Sequence, residues 1–202
     1  MDSDISVNRR IPQQERGERR VAELLEAAAS EFAEVGYEAA TMKAIAKRAG
    51  ASIGAVYQYF PNKAAVVSAL RTQYVNEMEE RWIHLEEATA GSSLKERTQS
   101  FVDAMIRFME ERPAYITIMD APADSRRDKK TRDRLRERLA NVFRTRRPAL
   151  SQEEAYRVAS VSLRMIKSMN TLYTDAKPQE RLEIAKEYKL ALTAYLEHRL
   201  TS

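Results

Sequence analysis

Residues 41–63 read TMKAIAKRAGASIGAVYQYFPNK. Met42, Ile45, Ala46 and Ala49 fall at i, i+3, i+4 and i+7, which lays one apolar stripe along a short helix. Thr41 stands just before the stripe, where a hydroxyl caps a helix start. Gly50 stops the helix, because a positive φ costs glycine least. Ser52 is placed to cap a second helix over residues 53–59, with Ile53, Val56 and Phe60 facing inward. Asn62, after Pro61, is placed to cap a third helix beginning at Lys63. Two short helices joined by a glycine turn make a helix-turn-helix, and the small Ala46 lets them cross closely.

The second of these helices is unusual in what it exposes. Gly54 and Ala55 open it with almost no side chain, so its first turn can approach a surface closely. Tyr57, Gln58 and Tyr59 follow, all able to hydrogen-bond. Residues 39–76 contain no Asp or Glu but carry Lys43, Lys47, Arg48, Lys63 and Arg71. An acid-free basic window around an exposed helix suits a polyanion. A helical hairpin with merely solvated charges is the alternative that pattern alone leaves open.

Residues 20–70 resemble the DNA-binding domain of the TetR family of bacterial transcriptional regulators. The resemblance is carried by residues 28–32, Gly36 and Tyr37, Thr41 and Met42, Ile45 and Ala46, residues 49–52, residues 54–60 and Lys63. It implies an all-α protein of about nine helices: an N-terminal three-helix helix-turn-helix domain and a C-terminal helical domain for ligand binding and dimerisation. The DNA-binding set is then Thr41, Met42, Lys43, Ser52, Ile53, Gly54, Ala55, Tyr57, Gln58, Tyr59 and Lys63. Phosphates would be met by the helix start at Thr41, the Tyr57 and Tyr59 hydroxyls and Lys63. Base edges would be read by Lys43, Ser52, Ala55 and Gln58, since Lys suits guanine, Gln suits adenine and Ala touches a thymine methyl. Family members often carry Thr where Ala55 stands, so one hydroxyl contact is missing here.

Composition fits this reading. With 44% hydrophobic and 32% charged residues, the 202-residue chain has a soluble globular composition. Five Gly and six Pro favour long helices over a many-turned β fold. There is no Cys, hence no disulfide, thiolate nucleophile or Cys-based zinc site, and His84 and His198 stand alone. No Gly-rich phosphate loop or paired catalytic group appears, which argues against an enzyme, and no cofactor is expected. No apolar run is long enough to span a membrane. The first ten residues, MDSDISVNRR, lack the apolar core of a secretory signal, so a cytoplasmic protein is expected.

Taken in order, residues 1–13 read as a flexible arm whose Arg9 and Arg10 either stay solvated or reach DNA. Residues 14–65 form the DNA-binding domain, opening on a helix over 14–35 that Gly36 ends. Residues 66–202 form the ligand-binding and dimerisation domain. A helix of about 25 residues from Lys63 crosses that boundary and would span about 37 Å. Further helices are expected over residues 94–111, 114–120, 125–146, 152–173 and from Pro178 onward, with Ser151 and Glu154 forming a capping box. Residues 126–147 hold eleven basic and three acidic residues. That face is either simply solvated or an extra contact to an anion, DNA or an acidic partner. The latter would suit a ligand-independent architectural DNA-binding protein.

The last two helices are apolar on two sides, which calls for cover on two sides. A second copy supplies it most simply, through a four-helix interface about a two-fold axis, and the resemblance implies the same homodimer. Tyr156, Leu163, Ile166, Leu192, Tyr195 and Leu196 are the expected interface residues. The resemblance further implies a small-molecule effector and a pocket for it. Met105, Phe108, Met109, Tyr115, Met119, Phe143, Met165, Met169 and Tyr173 would supply adaptable apolar walls. Arg107, Arg164, Lys167 and Asn170 would add polar contacts. The expected partners are thus palindromic double-stranded DNA, a second copy and an unidentified small hydrophobic or amphipathic effector that releases the dimer, a repressor by the resemblance, from its operator.

Overall fold

The computed structural model describes residues 13–122 and 126–201. Among them it forms nine helices and no strand: α1 (Gln13–Ala39), α2 (Met42–Arg48), α3 (Ile53–Tyr59), α4 (Lys63–Ala88), α5 (Leu94–Glu111), α6 (Tyr115–Asp120), α7 (Arg126–Arg146), α8 (Gln152–Asp175) and α9 (Pro178–Leu200). The chain is all-α, as its sequence implies. It divides into two compact units, with the division between Val66 and Val67. The expected arm with Arg9 and Arg10, and the expected helix start at Ser125, lie outside the described residues, apart from Gln13 at the head of α1.

In the first unit, Leu24, Ala28 and Phe32 line the inner stripe of α1 and are almost wholly buried. Ile45 and Ala46 of α2 are buried too, and α2 packs against both α1 and α3. Gly36 has φ 76°, so the α1 ladder breaks there and Tyr37 folds back to stack on Phe32 at 6.2 Å. Gly50 has φ 58° and turns the chain from α2 towards α3. The three sequence caps form: Thr41 Oγ1 accepts from the Ala44 amide at 3.1 Å, Ser52 Oγ from Ala55 at 3.2 Å, and Asn62 Oδ1 from Ala65 at 2.8 Å. Val56 and Phe60 face inward as expected, but Ile53 does not and is 41% exposed. It is the first residue of a seven-residue helix, one turn from Val56, and it lies past the edge of the small core.

In the second unit, α7 and α9 pack on α8, and α5 packs on α8 and α9. Val102, Phe108, Val158, Ala159 and Met169 are at most 1% exposed at its centre. The expected capping box closes at Ser151–Glu154, a second closes at Ser93–Glu96, and Pro178 opens α9. In each box the serine hydrogen bonds hold the glutamate carboxyl below its usual range. Arg71 is buried and its Nη2 donates to the Ile118 carbonyl at 2.7 Å and the Ala121 carbonyl at 2.8 Å, which occupies loose carbonyls at the end of α6.

The two-sided pattern of α8 and α9 resolves differently from the expectation. Ile166, Leu192 and Leu196 are at most 6% exposed within the single chain, so they belong to its own core and not to a free face. Tyr156, Leu163 and Tyr195 are half-buried, and the Tyr156 hydroxyl lies 3.4 Å from Asp133 of α7. The large apolar side chains left exposed on these helices are Val161, Leu172, Leu182 and Leu190. Among the described residues, no helix is long and apolar enough to cross a membrane.

Because Arg71 ties α4 to the end of α6, Arg71→Met is expected to lower the unfolding free energy by about 2–4 kcal/mol in a urea titration, the cost of stranding buried carbonyls. An unchanged midpoint would contradict this.

Candidate nucleic-acid interface and cavity

The outer face of α3 is held in shape by residues that do not appear on it. Val56 and Phe60 anchor the helix, and the Ser52 cap fixes its start. Gly54, Tyr57, Gln58 and Tyr59 are then exposed and Ala55 half-buried, with the two tyrosines at 50% and 40%. A Cβ built on Gly54 would meet nothing within 4 Å. Nothing inside the protein therefore requires glycine there. The Ser52 and Thr41 hydroxyl oxygens are occupied as caps, and each O–H remains able to donate.

The basic window divides into spent and unspent charges. Lys43 and Lys47 are exposed on α2. Arg48 is clamped by α1: its Nη2 donates to Glu31 at 3.0 Å and also to Glu34. The two carboxylates raise the guanidinium further above its ordinary value. Lys63, expected on a phosphate, is turned inward. Its Nζ donates to the carbonyls of Tyr37 at 2.5 Å, Glu38 at 3.1 Å and Ala40 at 3.0 Å, and sits 4.3 Å from the Tyr37 ring centre. All three ammonium protons are thereby engaged at the broken end of α1. Met42 is likewise corrected: only 8% exposed, it packs into the core and offers no side chain to a ligand.

The second unit encloses a cavity of about 650 Å³ between α4, α5, α6, α7 and α8. Of the residues expected to line a pocket, Met105, Tyr115 and Met119 line it, as do Arg164, Lys167 and Asn170. Phe108, Met109 and Met169 lie in the packed core instead. Phe143 lines a separate apolar hole of about 100 Å³. Met165, Tyr173 and Arg107 lie away from both, and the Tyr173 hydroxyl donates to Glu110 at 3.1 Å. The sequence reading missed Tyr74 and Trp82 of α4, although Tyr74, Met78 and Trp82 recur every four residues on one helix face. Tyr115 keeps some accessible surface because it lines the cavity, yet it lies deep enough that burial pushes its phenol up to about 12, with Asp120 adding to the shift. Among the described residues, no group of His, Cys, Asp and Glu could hold a metal ion.

Comparison with known proteins agrees with both units. Residues 24–70 match the family described as bacterial regulatory proteins, tetR family, and residues 93–196 match the tetracyclin repressor-like C-terminal domain. The chain belongs to the TetR family. That family is one of transcriptional regulators, not of enzymes. The HTH-type transcriptional repressor KstR of Rhodococcus jostii is 32% identical over 119 residues, 58% of this chain and 50% of that protein. An uncharacterised HTH-type transcriptional regulator of Mycobacterium tuberculosis is 30% identical over 65% of this chain and 64% of its own length. The chain thus spans between half and two thirds of these curated relatives. A TetR-family transcriptional regulator from Streptomyces coelicolor has the same fold, with a TM-score of 0.72 at 24% identity over 90% of this chain and 99% of that one.

Two outcomes follow from the geometry of Lys63 and Tyr115. Lys63→Met is expected to destabilise the first unit by about 2–3 kcal/mol in denaturant unfolding. A loss of DNA affinity at unchanged stability would instead make Lys63 an outward contact. For Tyr115, the folded chain keeps a proton that the unfolded chain loses between about pH 10 and about pH 12, so stability falls as pH rises through that window. Tyr115→Phe is expected to flatten that fall in urea titrations, and an unaltered slope would contradict the assignment.

Proposed function

We propose that this chain is a ligand-responsive transcriptional repressor that binds a palindromic operator as a homodimer through α3. The observation that carries the reading is the outer face of α3. Its Gly54, Ala55, Tyr57, Gln58 and Tyr59 are spent on no core, and Lys43 and Lys47 on α2 supply unspent positive charge. A helix opening on small residues can enter a major groove closely, Gln58 suits adenine, and the tyrosine hydroxyls suit phosphates. The repressor name of the Rhodococcus relative favours repression over activation.

A dimer would present two copies of α3 to half-sites about 34–36 Å apart or multiples of that spacing. Support for a dimer surface comes from α8 and α9. Val161 and Leu172 stand eleven residues apart, which returns to the same face of α8, and Leu182 and Leu190 are exposed on α9. The cavity supports a small hydrophobic or amphipathic effector, and it favours this reading over a ligand-independent architectural role. Parts of the basic α7 face are also already occupied, since Arg134 pairs with Glu79 and Arg136 with Asp133. The effector acts by preferring the state of the dimer whose α3 helices are misspaced for DNA; a tenfold loss of affinity needs about 1.4 kcal/mol of preference. Such a regulator works in the cytoplasm.

Fluorescence anisotropy against DNA from upstream of the protein's own coding region tests the reading. Wild type is expected to bind sequence-selectively, and Gly54→Ala to fold normally yet bind at least tenfold more weakly, about 1.4 kcal/mol. Leu182→Glu with Leu190→Glu is expected to yield folded monomers with weakened operator binding. Equal affinity of all three proteins, for operator and random DNA alike, would overturn the proposal.

A further inference from the structure

We infer that the large cavity of the second unit takes an amphipathic organic anion, its carboxylate-type head on the α7–α8 side and its apolar body against Tyr74, Met78 and Trp82. This rests on the proposed effector role of the same cavity and adds the chemical class of the effector.

The charge of the lining is lopsided. Lys129, Arg132 and Arg136 come from α7 and Arg164 and Lys167 from α8, against Asp120 and Asp133. Both acids are already taken. Lys167 Nζ lies 2.9 Å from Asp120 Oδ1, and Arg136 Nη1 lies 2.8 Å from Asp133 Oδ1. Among the described residues, Lys129, Arg132 and Arg164 form no ion pair. A cationic guest would face an unbalanced positive lining, whereas an anion meets three cations that no described carboxylate engages. Arginine offers a planar fork that fits a carboxylate with two parallel hydrogen bonds.

Two buried polar atoms show that the cavity wall has bonding capacity left for a guest. Among the described residues, Asn170 Oδ1 and Trp82 Nε1 have no hydrogen-bond partner, although their residues are only 3% and 5% exposed and both line the cavity. Native proteins rarely strand such groups, which marks this wall as one whose bonding a guest or water completes. Asn170 lies three residues beyond Lys167 on α8 and lines the same cavity, so its Nδ2 can donate to a carboxylate at the polar end while its Oδ1 accepts from a hydroxyl or amide. The opposite end is apolar. Trp82 and Ile166 also line the separate hole of about 100 Å³ among Leu85, Phe101, Leu139 and Val142, so the apolar wall continues beyond the cavity itself.

Trp82 is the chain's one tryptophan, so its emission reports occupancy directly. The full-length protein is titrated with decanoate, decanol and decyltrimethylammonium, each below its micelle concentration. Decanoate is expected to give a saturable change in emission and to raise the melting temperature, with decanol at least tenfold weaker and the cation weaker still. Arg132→Gln with Arg164→Gln is expected to weaken decanoate about tenfold and leave decanol unchanged, with the helical circular dichroism intact. Equal or tighter binding of the alcohol or the cation overturns the inference, as does a double variant that binds decanoate undiminished. Absence of any saturable change while operator binding persists also overturns it and leaves the regulator reading standing. Decanoate that binds at the cavity without releasing DNA supports the anion assignment and removes only the effector role.

Discussion

A helix that breaks leaves carbonyls with no amide to bond, and in this chain a single lysine ammonium collects them. Gly36 ends the α1 ladder, and Lys63 gathers the carbonyls of Tyr37, Glu38 and Ala40 while resting on the Tyr37 ring. The chain between those two points is α2 and α3, so the loop that holds the whole helix-turn-helix is closed at its neck by this contact. Arg71 repeats the device two turns further along α4, on the carbonyls at the end of α6. Both basic residues of α4's first half thus work as helix-end caps supplied from elsewhere in the sequence.

This division of labour decides what is left for function. The acid-free window of residues 39–76 is a genuine signal, but three of its five cations hold the fold together. What remains is Lys43, Lys47 and the hydrogen-bonding face of α3, a small outward surface on a rigid support. Rigid presentation is what base readout needs, since each specific contact contributes only about 1–3 kcal/mol and is lost with misalignment. The cavity shows the reverse arrangement. Among the described residues it leaves Asn170 Oδ1 and Trp82 Nε1 of its wall without a partner, a cost to stability that the first unit does not carry.

The helix boundaries were legible in the sequence because local chemistry sets them. Thr41, Ser52, Asn62 and Ser151 all cap helices by bonds to amides three residues on, and Gly36 and Gly50 take the positive φ their positions suggest. Partners distant in sequence were not legible. Nothing in the local pattern tells that Lys63 and Arg48 turn inward, because their partners stand between 14 and 26 residues away. Two apolar stripes on α9 are equally visible in sequence, but only packing shows that Leu192 and Leu196 face the core while Leu182 and Leu190 face out. The same limit separates Met105, which lines the cavity, from Met109, one turn on, which fills the core.

The central claim is that the outward face of α3 reads a DNA sequence as one half of a symmetric pair. Selection from a random double-stranded DNA library by the full-length protein tests it most directly. The account predicts enrichment of a two-fold symmetric sequence, and no enrichment when Tyr57 and Gln58 are both changed to alanine in a protein that still folds. Recovery of no preferred sequence by the wild type, or of the same sequence by the changed protein, would contradict it.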